Sequence, residues 1–315
     1  MTREQTPRVY RLRDNQPVVW FHRSLSKSNQ FCLYCARPLG DGTITSDREH
    51  VIGRSFVPDG SFGDGKAFNF IFRACVKCNA EKANAERHVS SVTLWVSPAR
   101  SDPSIDQIAR RKASHDFHPV ERGRLVSDVR SETSFSFGSN GLSGTVGLVG
   151  PPPLDPIAVK LLAYRQTQAF FSLVTSTDPL RAEGTRLLPT EHWWFGQYFL
   201  HADWGNTWLV ELARRVRGWS RHVNIVSAEG YFRALLARDG AGSGEWFWAL
   251  EWNKSLRTIG GIGGPEAQPR IFNDLPDLGW MVVEPGTRIR AERALAPGDD
   301  DLFADPEDET DISGG

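Results

Sequence analysis

Four cysteines constrain the fold of this chain more than any other feature, because they form two pairs with C-x-x-C spacing. The first pair is Cys32 and Cys35, the second is Cys75 and Cys78, and the 315 residues contain no other cysteine. This spacing lets two thiolates hold one tetrahedral metal ion, and two such pairs complete a closed zinc site. A redox dithiol with two incidental cysteines is the alternative, and iron is an alternative to zinc that nothing in the sequence favours. We therefore expect one structural Zn²⁺ held by the four thiolates.

Three polar residues lie close to these cysteines in the sequence. Glu49 and His50 follow a β-like run at residues 43–45. Neighbours in a strand point to opposite faces, so one side chain can reach a metal while the other reaches a substrate. Asn79 directly follows the last cysteine, so a bound metal would fix its position relative to the Glu49–His50 strand. A structural zinc site needs no such neighbours, and the alternative is a plain zinc knuckle with an incidental Glu-His pair.

This arrangement resembles the HNH endonucleases, whose ββα-metal motif often carries two C-x-x-C knuckles. The matching residues are the acid–histidine pair Glu49-His50, the closing segment 75–82, and Asn69 as the middle asparagine. The resemblance covers residues 28–90, which is less than a third of the chain. Four cysteines, the acid–histidine pair and the asparagine occur in the order that the family has.

The sequence departs from the family pattern at three places. Glu49 stands where aspartate is more usual, and Gly53 stands where a proline commonly follows the histidine. Asn69 lies one residue further from Cys75 than the family spacing.

The resemblance implies a role for each site residue in phosphodiester hydrolysis. His50 would be the general base on a water, a task that suits an imidazole because its pKa lies near neutrality. Glu49 and the amide oxygen of Asn79 would hold one Mg²⁺ or Mn²⁺, since such ions prefer hard oxygen ligands. Asn69 would complete the catalytic set. The ion would stabilise the departing 3′ oxygen, leaving 5′-phosphate and 3′-hydroxyl ends.

Other polar residues near the motif have less specific interpretations. Lys82 and Arg54 are candidates for contacts to flanking phosphates, although exposed basic residues are commonly only solvated. His88 is the rival for the catalytic histidine. It follows Asn79 by nine residues on a predicted helix, which places it about 13 Å further along the axis. We therefore expect His88 to be a surface or packing residue.

The charge distribution favours contact with nucleic acid. The formal net charge is −1, but residues 299–311 hold eight acidic residues and no basic one. Residues 1–98 hold 14 Lys and Arg against 9 Asp and Glu. A modestly basic module is what phosphate contact requires, so we expect a nucleic-acid partner, double-stranded DNA in the first place.

The later part of the chain combines helical and strand patterns. Helices are predicted from residues 155–156 and over 204–216, and residues 124–149 indicate a β-hairpin. Apolar residues alternate over 246–252, which predicts a strand whose partner follows at 256–259. The glycine cluster at 260–264 is typical of a flexible turn. Nine of the eleven tryptophans follow residue 190, and their periodicity favours a core over a base-stacking surface.

These patterns predict an α+β protein with a zinc-stapled ββα-metal module and a Trp-rich C-terminal domain. The C-terminal domain is a candidate for DNA recognition, ligand sensing, or docking of a protein partner or a second copy. We expect the acidic end to be disordered. The predicted parts are a nuclease domain at 1–98, a β-rich connection at 99–153, a C-terminal domain at 154–295 and an acidic tail at 296–315.

Sequence features also bear on location and function. No apolar run reaches membrane-spanning length, the N-terminus lacks the apolar core of a secretory signal, and thiolate ligands favour a reducing compartment. We therefore expect a cytoplasmic protein with no membrane partner. The main hypothesis is a metal-dependent DNA endonuclease, with bacterial restriction or anti-phage defence as the setting that the family suggests. The alternatives are a zinc-stabilised nucleic-acid-binding or adaptor protein that does not cut, and an RNA nuclease.

Overall fold

The computed structural model describes residues 10–12, 29–35, 37–39, 42–62, 70–139, 142–175, 192–240, 244–263, 268–284 and 287–304. These residues form a mixed α+β structure, which confirms the predicted fold class. The helices are α1 (Val76–Trp95), α2 (Pro103–Ala113), α3 (Pro156–Thr175) and α4 (Thr207–Val216). The strands are β1 (Tyr10–Leu12), β2 (Ser46–His50), β3 (Ile71–Cys75), β4 (Glu132–Ser139), β5 (Leu142–Val149), β6 (Trp193–Leu200), β7 (Ser220–Ser227), β8 (Phe232–Arg238), β9 (Trp246–Trp252), β10 (Leu256–Ile262), β11 (Met281–Glu284) and β12 (Thr287–Ile289).

The cysteine-bearing part is an antiparallel strand pair followed directly by a helix. Strands β2 and β3 pair so that His50 lies opposite Ile71 and Ser46 lies opposite Cys75. Cys75 ends β3 and is also the N-cap residue of α1, so the chain passes from strand to helix without a loop. Phe72 and Ala74 of β3 are buried. This unit carries Glu49 and His50 on its first strand and Asn79 in the first turn of its helix.

A six-stranded sheet forms the centre of the described structure. Its strand order is β1-β7-β8-β9-β10-β6, with β1 parallel to β7 and the other neighbours antiparallel. Every residue of β9 is buried, because both faces of the sheet are covered. Trp246, Trp248, Leu250 and Trp252 face the layer that contains α3, while Phe247 and Ala249 face the layer that contains α4. The predicted alternation and the core role of these tryptophans are confirmed.

The cysteine-bearing unit rests on this sheet through buried hydrogen bonds. Asn253, in the turn between β9 and β10, donates from its side-chain amide to the Phe56 carbonyl at 3.1 Å and to the Thr93 hydroxyl at 2.9 Å. The Ser97 hydroxyl donates to the Asn253 carbonyl at 2.7 Å. One apolar cluster extends from Cys32 to the inner face of β9. The end of α1 and the loop after β2 are thereby held against the sheet.

The limits of the domains remain a prediction, but the described residues show contacts between the predicted domains 1–98 and 154–295. Strand β1, from the predicted domain 1–98, pairs with β7 from the predicted domain 154–295, with Tyr10 opposite Val223. Helix α3, which begins the predicted C-terminal domain, packs against α1. The two parts therefore share both a sheet and a core.

The glycine cluster predicted as a turn is strand in its described part. Gly260 and Gly261 lie within β10 and are buried. A Cβ at Gly260 would collide with the Trp194 carbonyl and the Trp248 ring. A Cβ at Gly261 would lie 2.5 Å from the Pro269 Cγ. The glycines are required by close packing and not by turn geometry.

Helix starts follow from capping residues. Asn206 caps α4, because its Oδ1 accepts hydrogen bonds from the backbone N–H groups of Trp208 and Leu209, both at 3.0 Å. This places the start three residues after the predicted Trp204. Asp155 caps α3 by accepting from the Ile157 N–H at 2.9 Å, as the Asp-Pro pair predicts.

The predicted hairpin is present as β4 and β5, although its first strand begins at Glu132 instead of 124.

The described part of the acidic C-terminal segment is packed, which differs from the predicted disorder. Leu302 and Phe303 are buried in the layer that contains α4. Arginines from the sheet, from α4 and from the preceding segment bind the acidic side chains, and these partners explain the difference. The ion pairs are Asp299 with Arg293, Asp300 with Arg217, and Asp301 with Arg257. The remainder of the predicted tail, 305–315, lies outside the described residues.

Within the part of the chain that the structure describes, no helix has the length and apolar character needed to cross a membrane.

Candidate functional site

The four cysteines come together at the start of α1. Their Sγ atoms all lie within 4.8 Å of one another. The Sγ atoms of Cys35 and Cys75 are 3.9 Å apart, and none of the four cysteines forms a disulfide. A tetrahedral zinc ion with Zn–S bonds of about 2.3 Å places its sulfurs about 3.8 Å apart, so the group fits a structural metal such as zinc. The four predicted ligands are thus brought together.

Two structural elements position these ligands. Cys32 and Cys35 lie in a tight turn closed by a bond from the Cys32 N–H to the Arg37 carbonyl at 2.8 Å. Cys75 and Cys78 lie at the end of β3 and in the first turn of α1. The Cys75 N–H points at the Cys32 sulfur at 3.4 Å, which links the two elements. The metal would join a turn, a strand and a helix at one point.

The thiols of the cluster differ in how strongly their surroundings favour the thiolate. The Arg37 Nε donates to the Cys35 Sγ at 3.3 Å. A hydrogen bond from Cys78 lowers the pKa of Cys32 to about 4, and the same bond, together with burial, raises the pKa of Cys78. Burial raises the pKa of Cys35. Burial thus opposes ionisation of Cys35 and Cys78, and a bound metal ion would favour their thiolate forms.

The Glu49 carboxylate is buried beneath α1 and already has two partners. The Tyr34 hydroxyl donates to Oε1 at 2.8 Å, and the Lys82 Nζ lies 2.7 Å from the same oxygen. Burial and the Glu49 charge raise the pKa of Tyr34, so the phenol stays a neutral donor. The assignment of Glu49 as a metal ligand stays a prediction. An ion at the Glu49 Oε1 would have to compete with the Lys82 ammonium.

Lys82 is the centre of this buried polar cluster. Its side chain is only 1% exposed, and its Nζ binds Glu49, Glu86 at 2.7 Å and the His50 carbonyl at 2.9 Å. Burial lowers the pKa of Lys82, but the charges of Glu86 and Glu49 outweigh this effect and raise the pKa overall. Lys82 does not reach solvent, so the interpretation as a phosphate contact is wrong. Arg54, the other candidate, is exposed.

Glu86 connects the cluster to the loop after β2. Its Oε1 accepts a hydrogen bond from the Gly53 N–H at 3.0 Å. A Cβ at Gly53 would lie 2.5 Å from the Glu86 Oε2, so this position admits only glycine without movement. Proline has no N–H and would meet the same carboxylate. The Glu86 carboxylate thus accounts for glycine at position 53.

Three of the predicted catalytic residues, Glu49, His50 and Asn79, lie on β2 and α1. His50 is the last residue of β2, is half-buried, and by strand alternation points away from the Glu49 side. Asn79 is half-buried on α1, one turn before Lys82 on the same helix face. Asn79 therefore lies on the face of α1 from which Lys82 reaches Glu49. Asn69 lies outside the described residues, so its predicted place stays untested.

His88 packs inside the protein. Its ring is 3% exposed and lies edge-to-face against His118, with ring centroids 5.0 Å apart. Its Nε2 accepts a hydrogen bond from the Asp155 N–H at 2.9 Å. Burial, reinforced by the His118 charge, lowers the pKa of His88 to about 4. The expectation of a packing residue is confirmed.

Sequence reasoning missed the buried partners Tyr34 and Glu86. The i,i+4 spacing of Lys82 and Glu86 was a weak signal, because such pairs commonly lie on solvated helix faces. Among the described residues, the four cysteines are the one group of three or more Cys, His, Asp or Glu side chains close enough to hold a metal. A second ion would rely on fewer protein ligands and on water, which is usual for Mg²⁺.

Comparisons with known proteins give no assignment: no family model matches the chain, and neither the curated proteins nor the solved structures yield a match.

Proposed function

We propose that this protein is a metal-dependent endonuclease that hydrolyses phosphodiester bonds of DNA. One observation carries the proposal. A strand with Glu49 and His50 pairs with a second strand, and that strand continues into the helix that carries Asn79. The four-cysteine group lies at the strand–helix junction. This order of elements and residues is the one that the resemblance to HNH endonucleases implies.

The residues support a division of labour. The cysteines, with zinc, hold the turn, β3 and α1 together. His50 would take a proton from water as the general base, a task that suits an imidazole. Glu49 and Asn79 would hold Mg²⁺ or Mn²⁺. The ion, when bound, supplies charge neutralisation at the phosphate and the leaving oxygen.

A second function is favoured by one specific contact. The Glu49 carboxylate is held by Lys82 and Tyr34 in the buried cluster. If this ion pair persists, no carboxylate is free for a catalytic ion at this point. The protein would then be a zinc-stabilised nucleic-acid-binding or adaptor protein that does not cut.

A plasmid relaxation assay separates these functions. The protein is incubated with supercoiled DNA in Mg²⁺, in Mn²⁺ and in EDTA, with single-stranded RNA as a parallel substrate. The endonuclease proposal requires nicked or linear DNA with either metal and none in EDTA. Binding of intact DNA under every condition supports the second function, and cleavage of RNA alone moves the substrate class to RNA.

A further inference from the structure

A pocket of about 420 Å³ lies between α1 and α2, beside the loop after β2. Basic side chains from two helices meet there. Arg87 comes from α1, whereas Arg111 and Lys112 come from α2, and His115 follows α2. Two carboxylates, Glu86 and Asp116, complete the polar wall.

The carboxylates have inward partners, and this leaves the pocket basic. Glu86 binds Lys82 and the Gly53 N–H, both inside the protein. Asp116 accepts a hydrogen bond from the Ser91 hydroxyl of α1. Lys82 compensates the Glu86 charge, whereas Asp116 keeps its charge, so Arg87, Arg111 and Lys112 give the lining a small positive excess.

The cations are available to a ligand in different degrees. Arg87 is exposed and has no ion pair among the described residues. Arg111 binds Asp59 but keeps 59% of its side chain exposed. The His115 Nδ1 donates to the Arg111 carbonyl at 2.7 Å, which leaves Nε2 for another partner. Lys112 is tied to the Ser55 carbonyl and fixes one wall.

The pocket is linked to the predicted catalytic residues by a short path. The Glu86 carboxylate lines the pocket and binds Lys82, whose Nζ also contacts the His50 carbonyl. Arg87 follows Asn79 by eight residues on α1, which is about 12 Å along the helix axis. One strand of B-DNA carries a phosphate every ~3.4 Å of its axis, so this distance spans about three phosphates if α1 runs along that axis.

We propose that this pocket binds a backbone phosphate of the DNA strand, about three nucleotides from the bond at the predicted catalytic residues. The proposal rests on the proposed function, because it takes DNA as the substrate. Arg87 provides a planar fork that matches two phosphate oxygens, and His115 provides a second donor when protonated. A contact of this kind positions the strand without reading its sequence.

The test measures binding without cleavage. A fluorescein-labelled DNA duplex is titrated in EDTA, and its anisotropy gives the Kd at several NaCl concentrations. Arg87→Glu is expected to weaken binding about tenfold and to reduce the slope of log Kd against log salt by about 1. Arg122→Glu is the matched control: it makes the same charge change at an exposed arginine outside the pocket, and its Kd should stay within about twofold.

Each outcome has a definite meaning. Equal effects of Arg87→Glu and Arg122→Glu overturn the proposal, and so does a wild-type protein that binds no duplex. Displacement of the duplex by millimolar inorganic phosphate, beyond the effect of matched NaCl, assigns the pocket to a free phosphate instead. Wild-type protein that binds through Arg87 but cuts nothing with Mg²⁺ or Mn²⁺ contradicts the endonuclease and leaves this site intact.

Discussion

Replacing Lys82 by methionine tests whether the buried cluster is as tightly coupled as its geometry indicates. The substitution keeps an unbranched side chain, one atom shorter, and removes the ammonium that lies 2.7 Å from both Glu49 and Glu86. Two carboxylates are then left beneath α1 without their common partner. Removing one member of a buried ion pair costs about 3–5 kcal/mol, because the remaining charge is uncompensated. We expect the free energy of unfolding to fall by that amount at pH 8.

The pH dependence of this loss follows from the Glu86 carboxylate. Burial already raises the pKa of Glu86 in the intact protein, and loss of Lys82 removes the charge that opposes this effect. A carboxyl group whose folded pKa lies above its unfolded pKa destabilises the fold as pH rises through the folded value. The deficit of Lys82→Met should therefore be largest at pH 8 and smaller at pH 5.

Urea unfolding at pH 5, 6, 7 and 8 provides the measurement. Lys77→Met, an exposed lysine on the same helix, is the matched control and should change stability by less than about 0.5 kcal/mol. Adding Glu86→Gln to Lys82→Met should recover part of the loss, because the amide oxygen still accepts from Gly53. A Lys82→Met protein within about 1 kcal/mol of wild type at every pH would refute the buried ion-pair account.

Three further predictions concern the metal, a histidine and the C-terminal segment. Elemental analysis should find one zinc per chain, and Cys35→Ser should lose it and unfold the part around α1; a metal-free protein with unchanged circular dichroism would contradict this. Because the pKa of His88 is about 4 in the folded protein, the free energy of unfolding should fall as pH drops from 6.5 towards 4, by at most about 3 kcal/mol. Urea unfolding should show a smaller fall for His88→Gln. Phe303→Ala should cost about 3 kcal/mol in the same assay because Phe303 is buried, whereas no loss would return this segment to the predicted disorder.

Local patterns were sufficient where the deciding interactions are close in sequence. The C-x-x-C spacing predicted the cysteine group, because each pair needs only a tight turn to converge. The alternation over 246–252 predicted β9, because strand period alone separates its two faces. Asp155 and Pro156 predicted the start of α3, because helix capping also depends only on residues that are close in sequence. These features required no knowledge of how the layers pack.

Other features depended on packing that the sequence does not display. From the sequence, Lys82 resembles a solvated helix residue. In the structure, Glu49 of β2 lies against it and the side chain is buried. Gly260 of β10 suggests a turn from the sequence, but the Trp194 carbonyl and the Trp248 ring leave no room there for a larger residue. From the sequence, Asp301 belongs to an acidic segment that suggests disorder. In the structure, it forms an ion pair with Arg257 of the sheet. In each case the deciding partner is distant in sequence.

The most direct test of the central claim compares two histidines in one plasmid nicking assay with Mn²⁺. His50→Ala and His88→Ala are prepared with matched zinc content and matched DNA binding. If His50 is the general base, His50→Ala should lose about 10²- to 10⁴-fold in rate, while His88→Ala keeps cutting at 25 °C and pH 8. Excess Mn²⁺ should not restore His50→Ala. A dead His88→Ala beside an active His50→Ala would contradict the proposed site.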